Sequence, residues 1–417
     1  MHIKIMWLCN TPLPEIRREL GVKISGEGWL QGISDQLRRR KDIELHYVFP
    51  QNKRKGIYNR RADNISFWGF NSVQGNCYQL SEKRKKQIGQ IITEINPDII
   101  HIFGTEFAHA LECIQNIPDK RKVVVSVQGL VSELAKVYTR KIPFTEQFLY
   151  GGNCLWKAKC EFYKRGINEK VVLKDAYNII GRTAWDRNCV KRLNPNCRYF
   201  YCSETLRKPF YEGKWDIRKI ERNSIYISQA NYSIKGFHVF LKAFKEVIRT
   251  VPDAHVYVAG DRSFLQTGDA YGNYINKLIK RYKVKDNIKF LGVLPAEKVK
   301  EKLLGVHLAV MPSLLENSPN SMGEAMLLGT PVVAADVGGI PSMAGSGEEA
   351  LLYSAHSAKQ LAECIRYIFI NDRLALALSA NGRRRAKKLY DRAANLGNLL
   401  KIYDAIGKPA VGVPSKQ

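Results

Sequence analysis

The sequence predicts an α/β protein built from two parallel sheets, each covered by helices on both faces. Short apolar runs rich in β-branched residues alternate with segments of helical periodicity, and this alternation occurs twice along the chain. The length of 417 residues agrees, since about 150 residues per domain gives two to three domains. We therefore expect two Rossmann-like, doubly wound domains that face a cleft between them.

The predicted elements follow in order. Strands are predicted at residues 3–9, 43–49, 99–103, 123–127 and 178–180 in the first half, and at 224–228, 254–259, 288–291, 307–311 and 332–335 in the second. Helices are predicted at residues 29–40, 82–95, 237–250 and 296–304. The polar segment 209–222 divides an N-terminal domain of residues 1–210 from a C-terminal domain of residues 211–390. A helical pattern over 374–406 is long enough to cross back to the first domain, which leaves residues 391–417 as crossover helix and polar tail.

Composition excludes several classes of protein. The hydrophobic fraction of 45% and the charged fraction of 25% are those of a folded protein, not of a disordered or collagen-like chain. No run approaches the ~18 apolar residues that a membrane-spanning helix needs, and residues 3–9 are too short for a signal peptide. The nine cysteines show no metal-site or redox spacing and are expected to be free thiols. We expect a cytoplasmic protein.

The charge balance points to anionic partners. Lys and Arg number 66 against 39 Asp and Glu, a net charge of +27, and clusters such as residues 38–41, 53–55 and 83–86 lie in the first half. Each cluster alone is typical of a solvated helix face, but together they favour an anionic membrane surface, phosphorylated substrates or nucleic acid. Nucleic acid is not expected, because the aromatic residues are not interleaved with the basic clusters.

The segment that follows the strand 307–311 carries the richest pattern. Ser318 is a good N-cap with Pro319 in the first helical position, and Gly329 ends the helix. Glu316 then lies in the loop and Glu324 in the second helical turn. The first backbone amides, those of Asn320 and Ser321, form an anion site at the helix N-terminus. Two carboxylates beside such a site are suited to accept hydrogen bonds from a hydroxylated ring.

A second phosphate-binding element is predicted after the strand 224–228. Lys235 precedes Gly236 at the mouth of the helix 237–250 and can reach a diphosphate as a point charge.

These residues resemble glycosyltransferase family 4, whose retaining enzymes have the GT-B fold and use nucleotide-sugar donors. The family pattern of a Glu, seven residues and a second Glu reads here from Glu316 through Asn317, Ser318, Pro319 and Asn320 to Glu324, and it is followed by Gly329-Thr-Pro-Val-Val and Gly338-Gly339-Ile-Pro. The resemblance implies that Glu316 contacts the transferred sugar, Glu324 the ribose, and the amides of Asn320 and Ser321 the diphosphate. Asn317 and Ser318 are expected to complete the donor site.

The chain departs from the family pattern at three positions. Gln229-Ala230 replaces a Gly-Arg pair, so that one diphosphate-binding cation is missing; either Lys235 acts alone or Arg262 supplies the second charge. Ser342 stands where the family usually has Glu. Gln128, after the strand 123–127, replaces a His near the donor sugar and cannot take a proton. The nucleotide base is expected near Val293 and Leu294.

The first domain is expected to hold the acceptor. Gly26 and Gly28 occupy the place of a glycine-rich loop that lets backbone approach the donor, and Glu106 is a candidate residue of the cleft. His101 and His109 lie at or near the end of a predicted strand and are expected to be structural.

These residues, together with the family resemblance, predict a retaining glycosyltransferase with Glu316 and Lys235 as catalytic residues. The expected acceptor is a lipid-linked carbohydrate, as in the synthesis of a bacterial surface polysaccharide. No metal or cofactor is expected, since Lys235 and the helix amides can stabilise the leaving diphosphate. The alternatives are a nucleotide-sugar epimerase or a phosphorylase of the same fold, and a basic nucleic-acid-binding protein. Peripheral contact with an anionic membrane is expected.

Overall fold

The computed structural model describes residues 3–17, 19–21, 28–62, 64–72, 77–149, 154–266, 268–354 and 356–407. Fourteen strands of this part form two sheets. They are β1 (Ile3–Leu8), β2 (Ile43–Gln51), β3 (Tyr58–Ala62), β4 (Ile65–Asn71), β5 (Ile99–Phe103), β6 (Val123–Ser126), β7 (Asn178–Gly181), β8 (Arg198–Tyr201), β9 (Glu221–Ile227), β10 (His255–Ala259), β11 (Ile288–Gly292), β12 (Val306–Met311), β13 (Val332–Asp336) and β14 (Leu351–Ser354).

The first sheet has the order β3-β4-β2-β1-β5-β6-β7-β8, and the second has the order β11-β10-β9-β12-β13-β14. All neighbours pair in parallel except β3, which runs antiparallel to β4. Because ligands of such sheets bind beyond the carboxyl ends of the strands, a ligand site is expected at the loops that leave β9, β10 and β12.

All ten predicted strands are present, and no end is shifted by more than three residues. Four further strands, β3, β4, β8 and β14, were not predicted. β3 and β8 lie at the edges of the first sheet, where exposed Arg60 and Arg61 on β3 and exposed Arg198 and Tyr201 on β8 interrupt any apolar run. β14 is likewise an edge strand. Edge strands need few apolar residues, because one side has no neighbour.

The helices cover both sheets. They are α1 (Pro14–Arg17), α2 (Gly28–Leu37), α3 (Glu82–Ile95), α4 (Ala108–Gln115), α5 (Val131–Val137), α6 (Phe144–Phe148), α7 (Leu155–Asp175), α8 (Ala184–Leu193), α9 (Phe237–Thr250), α10 (Ala270–Tyr282), α11 (Ala296–Gly305), α12 (Asn320–Leu328), α13 (Ile340–Met343), α14 (Ala358–Ile370), α15 (Asp372–Leu389) and α16 (Arg392–Gly407). None of the described helices is both long and apolar enough to cross a membrane.

The prediction of one long C-terminal helix over residues 374–406 is wrong in one respect, because this segment forms two helices. α15 ends before Tyr390, and Asp391 starts α16 by accepting a hydrogen bond from the Ala394 amide at 2.7 Å. The predicted crossing back to the first domain is confirmed: Leu399, Ile402 and Tyr403 are buried in the core of the first sheet.

A hydrogen-bond chain fixes this crossover. Trp7 Nε1 donates to the Tyr403 hydroxyl at 2.9 Å, and His101 places Nδ1 2.7 Å from that hydroxyl and Nε2 2.7 Å from Ser126 Oγ. Burial lowers the pKa of His101 to about 3, so the ring is neutral at physiological pH. His109 is also buried, with Nε2 2.9 Å from Asn10 Oδ1. Both histidines therefore have structural roles.

All nine cysteines are free thiols, as the sequence predicted.

Candidate functional site

A cavity of about 390 Å³ opens beyond the carboxyl ends of β9 and β10 and against the N-terminus of α12. Its lining brings together residues that are far apart in the sequence: Arg207, Tyr226, Ser228, Gln229, Lys235, Ala259, Gly260, Asp261, Val293, Leu294, Val299, Leu303, Pro319, Asn320, Ser321 and Glu324. Six of these residues were predicted from the sequence as donor-site residues, namely Lys235, Val293, Leu294, Asn320, Ser321 and Glu324.

Lys235 and Glu316 form an ion pair. Lys235 Nζ lies 2.7 Å from Glu316 Oε1, and Ser313 Oγ donates to the same oxygen at 2.8 Å. Burial alone would lower the pKa of Lys235, but the neighbouring Glu316 carboxylate outweighs burial, and the pKa is raised. Lys235 therefore stays protonated and can provide a positive charge to an incoming phosphate, while Glu316 is held in a single position before any donor arrives.

Two loops are packed tightly to bring this pair together. Gly236 has φ +67°, and a Cβ there would lie 1.9 Å from the Pro312 carbonyl oxygen, so only glycine fits. The Leu314 amide also donates to the Ile234 carbonyl at 2.7 Å. The loop of Lys235 is thus fastened directly to the loop that carries Glu316.

The glycine pair after β13 supports the same loop from the other side. Gly338 has φ +54°, and a Cβ there would lie 2.0 Å from the Glu316 carbonyl oxygen. The Gly339 amide donates to that carbonyl at 3.0 Å. The Gly338-Gly339 motif therefore positions the Glu316 backbone.

Glu324 is buried and paired with a residue that sequence reasoning missed. Arg207 Nε donates to Glu324 Oε1 at 2.7 Å, and Arg207 Nη2 donates to Oε2 at 2.8 Å. Burial raises the pKa of Glu324, and Arg207 opposes that rise. Arg207 lies in the segment between β8 and β9, outside any sequence motif, so no pattern in the sequence indicates it.

The N-terminus of α12 differs slightly from the prediction. The helix begins at Asn320, and Pro319 rather than Ser318 is the N-cap residue, without a side-chain cap. Ser318 instead hydrogen-bonds Tyr390, at the break between α15 and α16. Asn320 Oδ1 is buried without a hydrogen-bond partner among the described residues. The amides of Asn320 and Ser321 head the helix, where intrahelical partners do not exist.

Two other predicted donor-site residues lie apart from the cavity. Asn317 connects the domains, because its Oδ1 accepts a hydrogen bond from Thr183 Oγ1 at 2.7 Å. Arg262 lies at the surface and is not part of the described cavity lining. Arg207 is therefore the second cation that the structure places beside this cavity, together with Lys235.

The structure places the residues predicted for the acceptor side in different surroundings. The Gln128 carbonyl accepts from Arg182 at 2.9 Å and lies 3.5 Å from Asn317 Nδ2, at the domain interface. Glu106 is half-buried beside Asn10, whose Nδ2 lies 3.3 Å from its Oε2. Gly28 begins α2, and Gly26 lies outside the described residues.

A buried carboxylate that no sequence motif indicates organises the neighbouring helix. Glu169 of α7 accepts hydrogen bonds from the Val131 and Ser132 amides, at 2.7 and 3.0 Å. These amides head α5, which begins three residues after Gln128. Burial raises the pKa of Glu169, although the hydrogen bonds from Ser132 and Val131 oppose the rise.

Part of the chain matches a known protein family. Residues 208–385, which contain Lys235, Glu316 and Glu324, match the family model described as glycosyl transferases group 1. The chain is 30% identical to the D-inositol 3-phosphate glycosyltransferase of Corynebacterium aurimucosum over 141 residues, 33% of this chain and 32% of that protein. It is 40% identical to the putative teichuronic acid biosynthesis glycosyltransferase TuaC of Bacillus subtilis over 74 residues, 18% of this chain and 19% of TuaC. The matches thus span about a third or less of these two relatives.

Solved structures match over nearly the whole chain. Sucrose-phosphate synthase from Thermosynechococcus elongatus superposes with a TM-score of 0.75 at 14% identity, covering 97% of this chain and 99% of that one. HepE of Anabaena, solved in complex with UDP and glucose, superposes with a TM-score of 0.69 at 16% identity, covering 97% and 100%. The chain therefore has the two-domain GT-B fold, and its residues 208–385 are similar to the group 1 glycosyl transferases.

Proposed function

We propose that this protein is a retaining glycosyltransferase of family 4, which transfers a sugar from a nucleotide diphosphate sugar to a carbohydrate acceptor. The observation that carries the proposal is the grouping of Lys235, Glu316 and Glu324 with the N-terminus of α12. A cationic side chain and free helix amides suit a diphosphate, and a carboxylate on either side suits the hydroxyl groups of a ribose and a sugar.

The proposed roles follow from the contacts. The amides of Asn320 and Ser321 and the Lys235 ammonium bind the diphosphate, while Glu316 accepts hydrogen bonds from the transferred sugar. Glu324 binds the ribose while Arg207 holds its carboxylate in place through two hydrogen bonds. Val293 and Leu294 lie beside the base.

The reaction breaks the bond between the anomeric carbon and the diphosphate oxygen. The acceptor hydroxyl forms the new bond on the same face, and the leaving phosphate takes its proton. Lys235 and the helix amides stabilise the negative charge that develops on the leaving group. Glu316 stabilises the positive charge that develops on the sugar ring. We propose that this chemistry needs no metal ion.

The acceptor is proposed to be lipid-linked, and the product a bacterial surface polysaccharide. The similarity to TuaC, named for teichuronic acid biosynthesis, supports this assignment. The net charge of +27 supports peripheral contact with an anionic membrane.

A donor screen tests the proposal. The purified protein is incubated with UDP-, GDP- and ADP-sugars, and release of the nucleoside diphosphate is measured with and without a polyprenyl-linked saccharide acceptor and a chelator. We expect one donor class to release its nucleotide, with acceptor dependence and without effect of the chelator. Interconversion of a donor sugar without nucleotide release would favour an epimerase instead. A chelator-sensitive reaction would overturn the proposed metal independence alone.

A further inference from the structure

Exposed large apolar side chains are concentrated in one short region of the first domain. Among the described residues, seven of the fourteen exposed large apolar side chains lie between residues 144 and 171. We call the α6–α7 face the surface formed by Phe144, Phe148, Trp156, Tyr163 and Ile167, which are 72, 44, 41, 64 and 52% exposed. An exposed apolar patch of this kind marks an interaction surface.

The patch is continuous rather than scattered. The ring centroids of Phe144 and Phe148 are 4.9 Å apart, and the rings of Phe148 and Trp156 stack with centroids 5.4 Å apart and an angle of 28° between their planes. Along α7, Trp156, Tyr163 and Ile167 recur at intervals of seven and four residues, which places them on one side of the helix. A groove of about 390 Å³ runs beside them, between α5 and α7.

The surroundings of the α6–α7 face are basic. Lys157, Lys164 and Lys170 on α7 are exposed, and Lys159 Nζ lies 4.9 Å from the centre of the Trp156 ring. Acidic residues nearby are fewer: Glu133 is already paired with Lys136, Glu169 is buried, and Glu161 of α7 is half-buried. Aromatic rings beside lysines are typical of side chains that sit at the boundary between lipid headgroups and acyl chains.

The face is rigidly joined to the rim of the cleft. Arg165 Nε of α7 donates to the Glu106 carbonyl after β5 at 2.7 Å, and Glu169 of α7 binds the amides that head α5. Gly166 packs so closely on Ser132 that a Cβ would lie 2.7 Å from the Ser132 Cα. Lys277 of α10, in the second domain, forms an ion pair with Glu146 of α6. A surface bound to the α6–α7 face would therefore lie next to the acceptor side.

We propose that the α6–α7 face docks on an anionic lipid bilayer, with the aromatic side chains inserted at the headgroup level and the α7 lysines bound to lipid phosphates. The occupant is a membrane rather than a protein because an apolar centre flanked by cations on one helix complements anionic lipids. The proposal adds a docking surface to the proposed function and does not depend on the donor chemistry.

Vesicle sedimentation of the full chain, without nucleotide sugar, tests the proposal. Vesicles of phosphatidylcholine alone are compared with vesicles that also contain phosphatidylglycerol. The apolar variant is Phe144→Asn, Trp156→Asn and Ile167→Asn together; its matched control is Tyr367→Asn, Ile370→Asn and Leu376→Asn, on the second domain, which are 52, 79 and 49% exposed. We expect the apolar variant to lose at least about 10-fold in partitioning to anionic vesicles, and its control to bind like the wild type.

The charge of the face is tested in the same way. Lys157→Gln, Lys159→Gln, Lys164→Gln and Lys170→Gln together should lower partitioning at least about 10-fold, whereas Lys242→Gln, Lys245→Gln, Lys283→Gln and Lys359→Gln, on the second domain, should not. Brominated phospholipids should quench the fluorescence of the wild type more than that of Trp156→Phe.

Four outcomes would overturn the proposal. Two concern partitioning: the apolar variant binds vesicles as well as the wild type, or its control loses as much binding as the apolar variant does. The third is equal quenching in the wild type and in Trp156→Phe, and the fourth is concentration-dependent self-association that the apolar variant abolishes while vesicle binding persists. The last would identify a second copy of the chain as the occupant. Donor turnover with a soluble acceptor, measured on the same variants, separates this result from a failure of the proposed function. Melting temperatures of all variants should stay close to that of the wild type, because the substituted side chains are exposed.

Discussion

Glu316 is the single residue on which the proposed transfer depends most. It is held by Lys235 and Ser313 in the absence of a donor, so replacing it with Gln keeps the shape of the side chain and removes its charge. We expect Glu316→Gln to lower kcat by about 10²-fold, or ~2.7 kcal/mol of transition-state stabilisation. Binding of the free nucleoside diphosphate should not weaken, because Lys235 loses a competing partner.

Steady-state kinetics and calorimetry check this prediction. Glu301→Gln, which removes an exposed carboxylate paired with Lys298, is the control and should leave both quantities unchanged. Normal turnover in Glu316→Gln would contradict the role given to this carboxylate.

Arg207 gives the second prediction at this scale. Arg207→Lys keeps a positive charge but cannot donate two parallel hydrogen bonds to Glu324. We expect the affinity for the nucleoside diphosphate to fall about 10-fold, since a poorly held Glu324 binds the ribose less well. The control is Arg218→Lys, an arginine of the same connecting segment that is 83% exposed and paired with Asp216. Equal affinities for the two variants, measured by calorimetry, would remove Arg207 from the site.

At the scale of elements, the turn between β13 and α13 should be needed for turnover, because it positions the backbone of Glu316. Gly338→Ala introduces both an unfavourable φ and a clash with the Glu316 carbonyl. Gly347, at φ +80°, has open space around its Cα, so Gly347→Ala suffers only the backbone strain of ~1–2 kcal/mol. We expect both variants to melt earlier, but only Gly338→Ala to lose about 10-fold or more in kcat. Equal kcat values in the two variants would mean that the turn supports folding alone.

At the scale of the whole molecule, buried histidines should make stability depend on pH. The pKa of His101 and His109 is lowered to about 3, and that of His238 and His307 to about 4, in each case chiefly by burial. The unfolded chain takes up protons below about pH 6.5, where these buried rings do not. The contribution of these histidines to the free energy of unfolding is therefore fully present above about pH 6.5. It falls as the pH drops toward 4, by ~1.4 kcal/mol per pH unit for each histidine.

Urea unfolding at pH 7, 6 and 5 measures this slope. His109→Gln keeps a donor for Asn10 Oδ1 and cannot titrate, so it should reduce the slope by about one proton. An unchanged slope in this variant would show that His109 is protonated or exposed in the folded protein.

The sequence by itself determined the fold and the local chemistry of the second domain. The alternation of apolar strands and helices predicted both sheets, because burial of a strand on both faces requires a continuous apolar run. Glu316, Asn320 and Glu324 could be placed on a loop and a helix, since a Pro and a Gly mark the two ends of that helix. The helices α3 and α9 were predicted with the bounds that the structure has.

Only the tertiary structure decided which distant residues meet. Arg207 reaches Glu324 across 117 positions of sequence, and Asn317 turns to Thr183 of the other domain rather than to the cavity. The break between α15 and α16 and the α6–α7 face were likewise decided only by the tertiary structure. Periodicity records which side of an element is apolar, but it carries no information about what packs against that side, so ion pairs and surfaces made by separate elements exist only once the chain has folded.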